Sequence, residues 1–590
     1  MEKRANWLAA SHKTTPKTYR VRRYFRLYWQ TIVVILMRRT YLILPSILFL
    51  TLIAVMLFAA LRLNGGHFAY AIDDAYIHLA VSKNLTLHQL WGVTPFEFSS
   101  SSSSMVWPLL NALPMAIFGV GVIYPLVINV ALSMLVVVVI GRILHTTYHS
   151  PLTIALITLT IALLIPLPAL TFLGLEHILH TLLTLAFAWS AAQILAADAP
   201  HSRHLAQFVI LGALLPLARY EGLFLVSIVL GLLALRGRWK TAVLIGGLVA
   251  LPILAFGRYS TNQGWLFLPN SVVLKGNTTT LTPSGLFSLL QHILDSLHEA
   301  YVLTPLLIIT LYRFTKQRGT SFWEQPQLLR LLFILATLAH LPFVFVAKGS
   351  HLDALRYDAY IVALGLVVVA LDYKNIGAWI KREFANNKND LRKPGFMHVI
   401  RLLISPQNIN YLVIGVVIGL FTVPFALRGI DSTRRAVLSM NNVYERQVQI
   451  GRFLHQNYNG QAIVANDIGA INYYADLHLV DLVGLGTIEI VDLIESGSYD
   501  RKNFHALARN KDAAIAIIFD SWADALIGGV PKQWTLVGRW GLPNDVLSSN
   551  KFVSFYAIVP EQIEPLRQQL TSFHPSLPTN VIYGINPDLE

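Results

Sequence analysis

Two adjacent carboxylates, Asp73 and Asp74, follow the first long apolar run of the chain, in Ala71-Ile72-Asp73-Asp74-Ala75-Tyr76-Ile77-His78. Neighbouring acids repel one another and lose hydration beside a membrane. Such a group suits general-base work on a hydroxyl, whose own pKa lies far above 7. Four further clusters carry chemistry: Glu176 in Gly174-Leu175-Glu176-His177, the triplet Arg219-Tyr220-Glu221, the loop with Asn270 and Lys275, and Lys348 to Tyr357 with His351, Asp353 and Arg356. Cations hold a phosphate and stabilise the charge that departs with it. Carboxylates at one loop and cations at three others therefore fit transfer of a group from a phosphate to a hydroxyl. Each cluster has a structural alternative. Asp74 can N-cap a helix over 75–87, Glu176 can complement a helix dipole, Arg219 and Glu221 can bridge each other, and Lys or Arg at membrane edges can snorkel.

The elements that position these residues follow from composition. The chain has 590 residues, 54% hydrophobic and only 13% charged, with no cysteine. Soluble domains carry about 25% charged residues, so this is a polytopic membrane protein. The missing cysteines exclude disulfides, thiolate metal sites and a cysteine nucleophile. The formal net charge of +14 could suggest nucleic acid, but its distribution follows membrane topology.

A spanning helix needs about 20 apolar residues. Spans are expected at 41–63, 122–141, 152–166, 177–197, 206–217, 222–235, 241–257, 297–312, 328–347, 357–371 and 410–427, about eleven in all. A basic cytoplasmic arm occupies 1–40, with an interfacial helix at 28–37. The short stretch 106–118 reads as a re-entrant or surface-lying helix. With the N-terminus inside, twenty-six Lys and Arg fall in inner segments and six in the outer segments between spans, the asymmetry of a cytoplasmic N-terminus. The transmembrane domain is 41–428, with a catalytic external loop at about 64–121. The tail, 429–590, reads as an external soluble α/β domain, with a helix over 434–458 and strands at 462–465, 513–519 and 552–559. The serines of 99–104 form the only low-complexity run.

Several of these segments resemble the GT-C glycosyltransferases. They are Asp73-Asp74-Ala75-Tyr76-Ile77, Lys83-Asn84-Leu85, Trp91-Gly92-Val93-Thr94-Pro95, the serine run with Trp107-Pro108, Gly174-Leu175-Glu176-His177, Arg219-Tyr220-Glu221-Gly222, Leu268-Pro269-Asn270-Ser271 with Lys275, Arg356-Tyr357, and in the tail Asp467-Ile468-Gly469 and Asp481-Leu482-Val483-Gly484. The match is nearest to the branch of the mycobacterial terminal arabinofuranosyltransferase. It implies a GT-C-like fold, a polyprenyl-phosphate sugar donor, an external cell-envelope acceptor (glycan, lipid or protein), inversion at the anomeric carbon and residence in the inner (plasma) membrane. It makes Asp73 the general base, with Asp74 beside it. As the scarce external cations beside span ends, Arg356 and Lys275, supported by Arg219 and His351, are expected to bind the donor phosphate, and Glu176, Tyr220, Glu221, Asn270 and Tyr357 the substrate. No cofactor is predicted, although Asp73, Asp74 and His351 could ligate a divalent metal. Phe96-Glu97-Phe98 with the serines, and Gln263-Gly264-Trp265, depart from the family pattern, so arabinose does not carry over. The alternative is a transporter or flippase of a lipid-linked glycan, which would place ionisable residues near the midplane and show internal repeats.

Overall fold

The computed structural model describes residues 16–275, 287–291, 293–295, 302–316, 321–343, 351–372, 409–546 and 551–585. The chain opens with α1 (Pro16–Leu63), α2 (Asp74–His88), α3 (Val106–Phe118) and α4 (Tyr124–His145). Next come α5 (Pro151–Leu164), α6 (Leu167–Leu173), α7 (His177–Ala196), α8 (Ser202–Ala218), α9 (Gly222–Leu235) and α10 (Trp239–Asn262). The bundle is completed by α11 (Asn270–Lys275), α12 (Leu303–Lys316), α13 (Gln325–Phe343), α14 (His351–Asp372) and α15 (Ile409–Val443).

Among the described residues, four helices are long and apolar enough to cross a bilayer: Arg39–Leu63 within α1, α4, α7 and α10. The pair α5 and α6, bent by 48°, makes a fifth if it is one span. Exposed Ile47, Val55 and Phe58 on α1, and Val243, Leu251 and Leu254 on α10, give these helices outward apolar faces. An aqueous surface would not tolerate such faces, and a lipid phase accepts them. The protein is therefore a membrane protein. Its centre is α7, whose span is 72% buried, against 22% for α1 and 17% for α10.

Helices stand at all eleven stretches where spans are expected, although 297–301 and 344–347 lie outside the described residues. Four of them are short: α8 has 17 residues, and α5, α9 and α12 have 14 each as described. The short helix α3 has the expected bounds. The expected separate helix at 28–37 is instead part of one continuous α1. Arg38-Arg39-Thr40 contains no proline or glycine to break it.

Past α15 the helix continues through a π turn, Tyr444–Val448, into α16 (Gln449–Asn457). The tail then builds a six-stranded sheet of order β2-β1-β3-β5-β4-β6. Strands β1 (Ala462–Ala465), β2 (His478–Asp481) and β3 (Ile515–Ile518) are parallel; β4 (Thr535–Gly541), β5 (Phe552–Ala557) and β6 (Ile582–Ile585) extend the sheet antiparallel. The inner parallel strands β1 and β3 are apolar and almost wholly buried, as strands covered on both faces require, while the edge strand β2 begins at exposed His478 and ends at buried Asp481. Strands β1, β3 and β5 lie where the sequence suggests them; β2, β4 and β6 are additional.

Candidate active site

The acidic loop is fixed from both sides. Toward the bundle, Ala71 N–H donates to the Phe172 carbonyl (3.0 Å) and Trp107 Nε1 to the Gly174 carbonyl (3.1 Å). Gly174 adopts φ +70°, and a Cβ there would stand 2.5 Å from the Tyr70 ring, so this crossing requires glycine. Toward the tail, Lys83 Nζ on α2 donates to the carbonyls of Asn472 (3.2 Å) and Tyr473 (3.0 Å) and pairs with Asp476 (3.0 Å).

Asp73 makes the closest junction. β1 ends at Ala465, and after Asn466-Asp467-Ile468 the chain turns into α17 (Gly469–Tyr474). Asp73 Oδ2 accepts from Gly469 N–H (2.7 Å) and Oδ1 from Ala470 N–H (2.8 Å). A Cβ on Gly469 would lie 2.1 Å from the Asp73 carbonyl oxygen. Burial pushes Asp73 up to about 8, with Asp467 and Asp74 adding repulsion against the two amide bonds. Asp467 is also raised by burial, although Arg446 and Gln447 oppose the shift.

Asp74 is the first residue of α2, and Asp73 holds the N-cap position without a side-chain bond to its own helix. The structural alternative, N-capping by Asp74, is thus absent. Its carboxylate, one-third exposed, takes a hydrogen bond from Arg356 Nη1 at 2.8 Å. In α14, successive residues project about 100° apart, so Arg356, Tyr357 and Asp358 serve three partners. Arg356 reaches Asp74, Tyr357 stands edge-on to His177, and Asp358 pairs with Arg428 of α15 (2.6 Å). Two guanidiniums stand over the Tyr357 ring, Arg356 at 4.9 Å and Arg219 at 5.4 Å. Its π faces attract both cations.

Arg219 is held by two glutamates. Nε and Nη2 donate to both Glu221 oxygens (3.1 and 2.6 Å), and Nη1 donates to Glu176 Oε1 (2.7 Å). This two-pronged geometry is the strong form of an ion pair. Burial opposes the charge on Glu221, but Arg219 overcomes it and holds that carboxyl down to about 2. Burial likewise opposes the charge on Glu176, which His78 and Arg219 outweigh, leaving it below the usual range. Glu176 Oε1 also accepts from Ser103 Oγ (2.9 Å), and Oε2 lies 3.4 Å from His78 Nε2. Burial pushes His78 down, and Ser102 Oγ sits 3.1 Å from its Nδ1.

The serine run is therefore a buried strap. Ser99 Oγ accepts from Val93 N–H, Ser104 Oγ donates to the Leu217 carbonyl, and Ser102 and Ser103 reach His78 and Glu176. Asn270 joins from another side. Its N–H donates to the Ser100 carbonyl (3.0 Å) and its Nδ2 to the Gly484 carbonyl (2.8 Å). That glycine lies in the turn organised by Asp481, whose carboxylate accepts from Val483 and Gly486 N–H (2.8 Å each). Burial pushes Asp481 up to about 6. Among the described residues, Tyr220 Oη, Asn270 Oδ1, Ser271 Oγ and Ser100 Oγ are buried without a partner.

The expected site residues thus meet in two connected groups, Asp73 with Asp74, Arg356 and Tyr357, and Glu176 with Arg219 and Glu221. Tyr220 lies between Arg219 and Glu221 in sequence, and Asn270 abuts the serine strap. The side chains of Lys275 and His351 lie outside the described residues. Among the described residues, no three His, Asp or Glu side chains group to hold a metal ion. Sequence reasoning gave no site role to His78, Ser102, Ser103, Asp467 and Gly469, although each lies in a segment it singled out. Of these, only the glycine after Asp467-Ile468 carried a local signal.

A family described as "Domain of unknown function (DUF8728)" matches residues 440–556. No curated protein matches the chain. Two solved structures of ArnT from Cupriavidus metallidurans are similar to it. The form bound to undecaprenyl phosphate has a TM-score of 0.49 at 13% identity, covering 87% of this chain and 98% of that one. The apo form has a TM-score of 0.47 at 13% identity with the same coverage.

Proposed function

We propose that the protein is a membrane glycosyltransferase that moves a sugar from a polyprenyl-phosphate donor to an acceptor hydroxyl, with Asp73 as general base. The observation that carries this reading is the convergence of Asp73, Asp74 and Arg356 at the ends of apolar helices, beneath the loops of the tail domain. A base works best with a pKa near the operating pH, and Asp73 at about 8 meets that condition. The acceptor oxygen attacks the anomeric carbon as its proton passes to Asp73. The bond from that carbon to the phosphate oxygen breaks, and its electron pair leaves with polyprenyl phosphate. Arg356, with Lys275 and His351 in support, receives that charge. Arg219 acts from behind: its donors are engaged by Glu176 and Glu221, and it shares the Tyr357 ring with Arg356. Tyr220 and Asn270, with unpartnered buried oxygens, are suited to sugar hydroxyls. The acceptor is a cell-envelope glycan, lipid or protein on the outer face.

The bent pair α5 and α6 is the feature that favours a transporter. A transporter is expected to carry ionisable groups within its membrane segments, and residues 151–173 contain no Asp, Glu, Lys, Arg or His. Binding separates the readings from a soluble-donor enzyme. Polyprenyl phosphate should raise the melting temperature of the purified protein, and Arg356→Ala should abolish most of that gain. Stabilisation by nucleotide sugars instead would sink the proposal.

A further inference from the structure

The far ends of the same helices form a second polar site. α4 begins beside the acidic loop, where Tyr70 Oη donates to the Val122 carbonyl (2.6 Å). Arg142 lies a further eighteen residues past Tyr124, about 27 Å at 1.5 Å per residue. α7 begins at His177 beside Arg219, and Gln193 lies about 24 Å farther along it by the same rise. Between α4, α7 and α8 is a cleft of about 240 Å³. Arg142, Gln193, His204 and Gln207 supply its polar wall, and Val139 and Ile143 its apolar one.

The lining chemistry narrows the ligand. No carboxylate faces the cleft, which argues against a cation. Among the described residues Arg142 has no hydrogen-bond or ion-pair partner, so its guanidinium remains available for phosphate oxygens. The N-terminal turn of α8, with Arg203, adds positive potential. Trp189, an amphipathic ring of the kind that favours membrane interfaces, borders the cleft. Exposed Leu135, one turn before Val139, and exposed Ile210, one turn beyond Gln207, continue the apolar wall toward the middle of the membrane. The separation from the candidate active site is close to the roughly 30 Å of a bilayer's hydrocarbon core.

We propose that this cleft binds the phosphate headgroup of an anionic phospholipid in the leaflet opposite the candidate active site. The phosphate sits against Arg142 with amide donors from Gln193 and Gln207, and the acyl chains follow Leu135 and Ile210. The lipid fastens the ends of α4, α7 and α8 together, and α7 leads directly to Glu176 and Arg219.

The test uses the purified full chain in bilayers of phosphatidylcholine alone, or of equimolar phosphatidylcholine and phosphatidylglycerol. Wild type should melt several degrees higher with phosphatidylglycerol and carry the lipid in native mass spectra. Arg142→Gln should lose most of both, Arg142→Lys should recover part, and Lys240→Gln, which does not line the cleft, should behave as wild type. Should Arg142→Gln fold poorly, Gln193→Leu with Gln207→Leu reads lipid retention at an intact cation and should also lose it. Full lipid retention and stabilisation in these variants would overturn the proposal. So would the same Arg142-dependent gain from inorganic phosphate in phosphatidylcholine alone, which would mark a free-anion site.

Discussion

Asp73→Asn alters a group that both accepts two backbone N–H bonds and titrates near neutrality. The Asn oxygen can accept only one of those bonds, and its amide hydrogens face the other donor. A buried donor left unpaired costs about 1–3 kcal/mol, so the acidic loop should hold the tail domain less firmly. The chemical loss is separate and larger, since general-base catalysis contributes typically ~10²–10⁴-fold. The pH profile distinguishes the two. The base must be ionised, so wild-type kcat/KM should rise about tenfold per pH unit up to about 8 and then level off. Stability should run the other way. The folded pKa lies above the ordinary 3.8, so this group's contribution is full below 3.8 and is lost as pH rises through about 8. Measured from pH 5 to about 9, kcat/KM and melting temperature should show opposite slopes in wild type; in Asp73→Asn the rise in kcat/KM should vanish and the fall in melting temperature should shrink to what the raised Asp467 and Asp481 contribute. Wild-type turnover in the variant would refute the assignment, even with lowered stability.

Gly469→Ala keeps both carboxylates but places a Cβ 2.1 Å from the Asp73 carbonyl oxygen; limited proteolysis should show the tail loosened, and turnover should fall. Asp74→Asn retains an oxygen for Arg356 but loses the ion pair, so the donor KM should rise more than kcat falls. Reporter fusions after Arg238 should read cytoplasm and fusions after Gly460 the outside; a cytoplasmic tail would separate the proposed site from an external acceptor.

The chemistry-bearing residues were legible where a local rule exposed them. Paired acids after an apolar run, an Arg and a Glu two apart at a helix junction, and buried strands such as Ala462–Ala465 each break a local expectation. What could not be read was the long-range partnership. Nothing near Asp73 indicates that its carboxylate meets amides 396 and 397 residues away. The serine run resembles a linker because its function lies in hydroxyls that reach Glu176 and His78, contacts without a sequence period. Strand β4 escaped notice because Gly538, Arg539 and Gly541 dilute its apolar pattern, and a register shift between Leu536 and Gly538 breaks its alternation. Lys83, noted in sequence within Lys83-Asn84-Leu85, is a tether to the tail domain.

The most direct test of the account is the release of polyprenyl phosphate by purified protein given a panel of polyprenyl-phosphate sugars and an envelope-derived acceptor fraction. Nucleotide sugars are the control. The account predicts acceptor-dependent release with at least one lipid-linked sugar, none from nucleotide sugars, and none from the Asp73→Asn, Asp74→Asn double variant. Turnover of a nucleotide sugar, or undiminished release by the double variant, would contradict it.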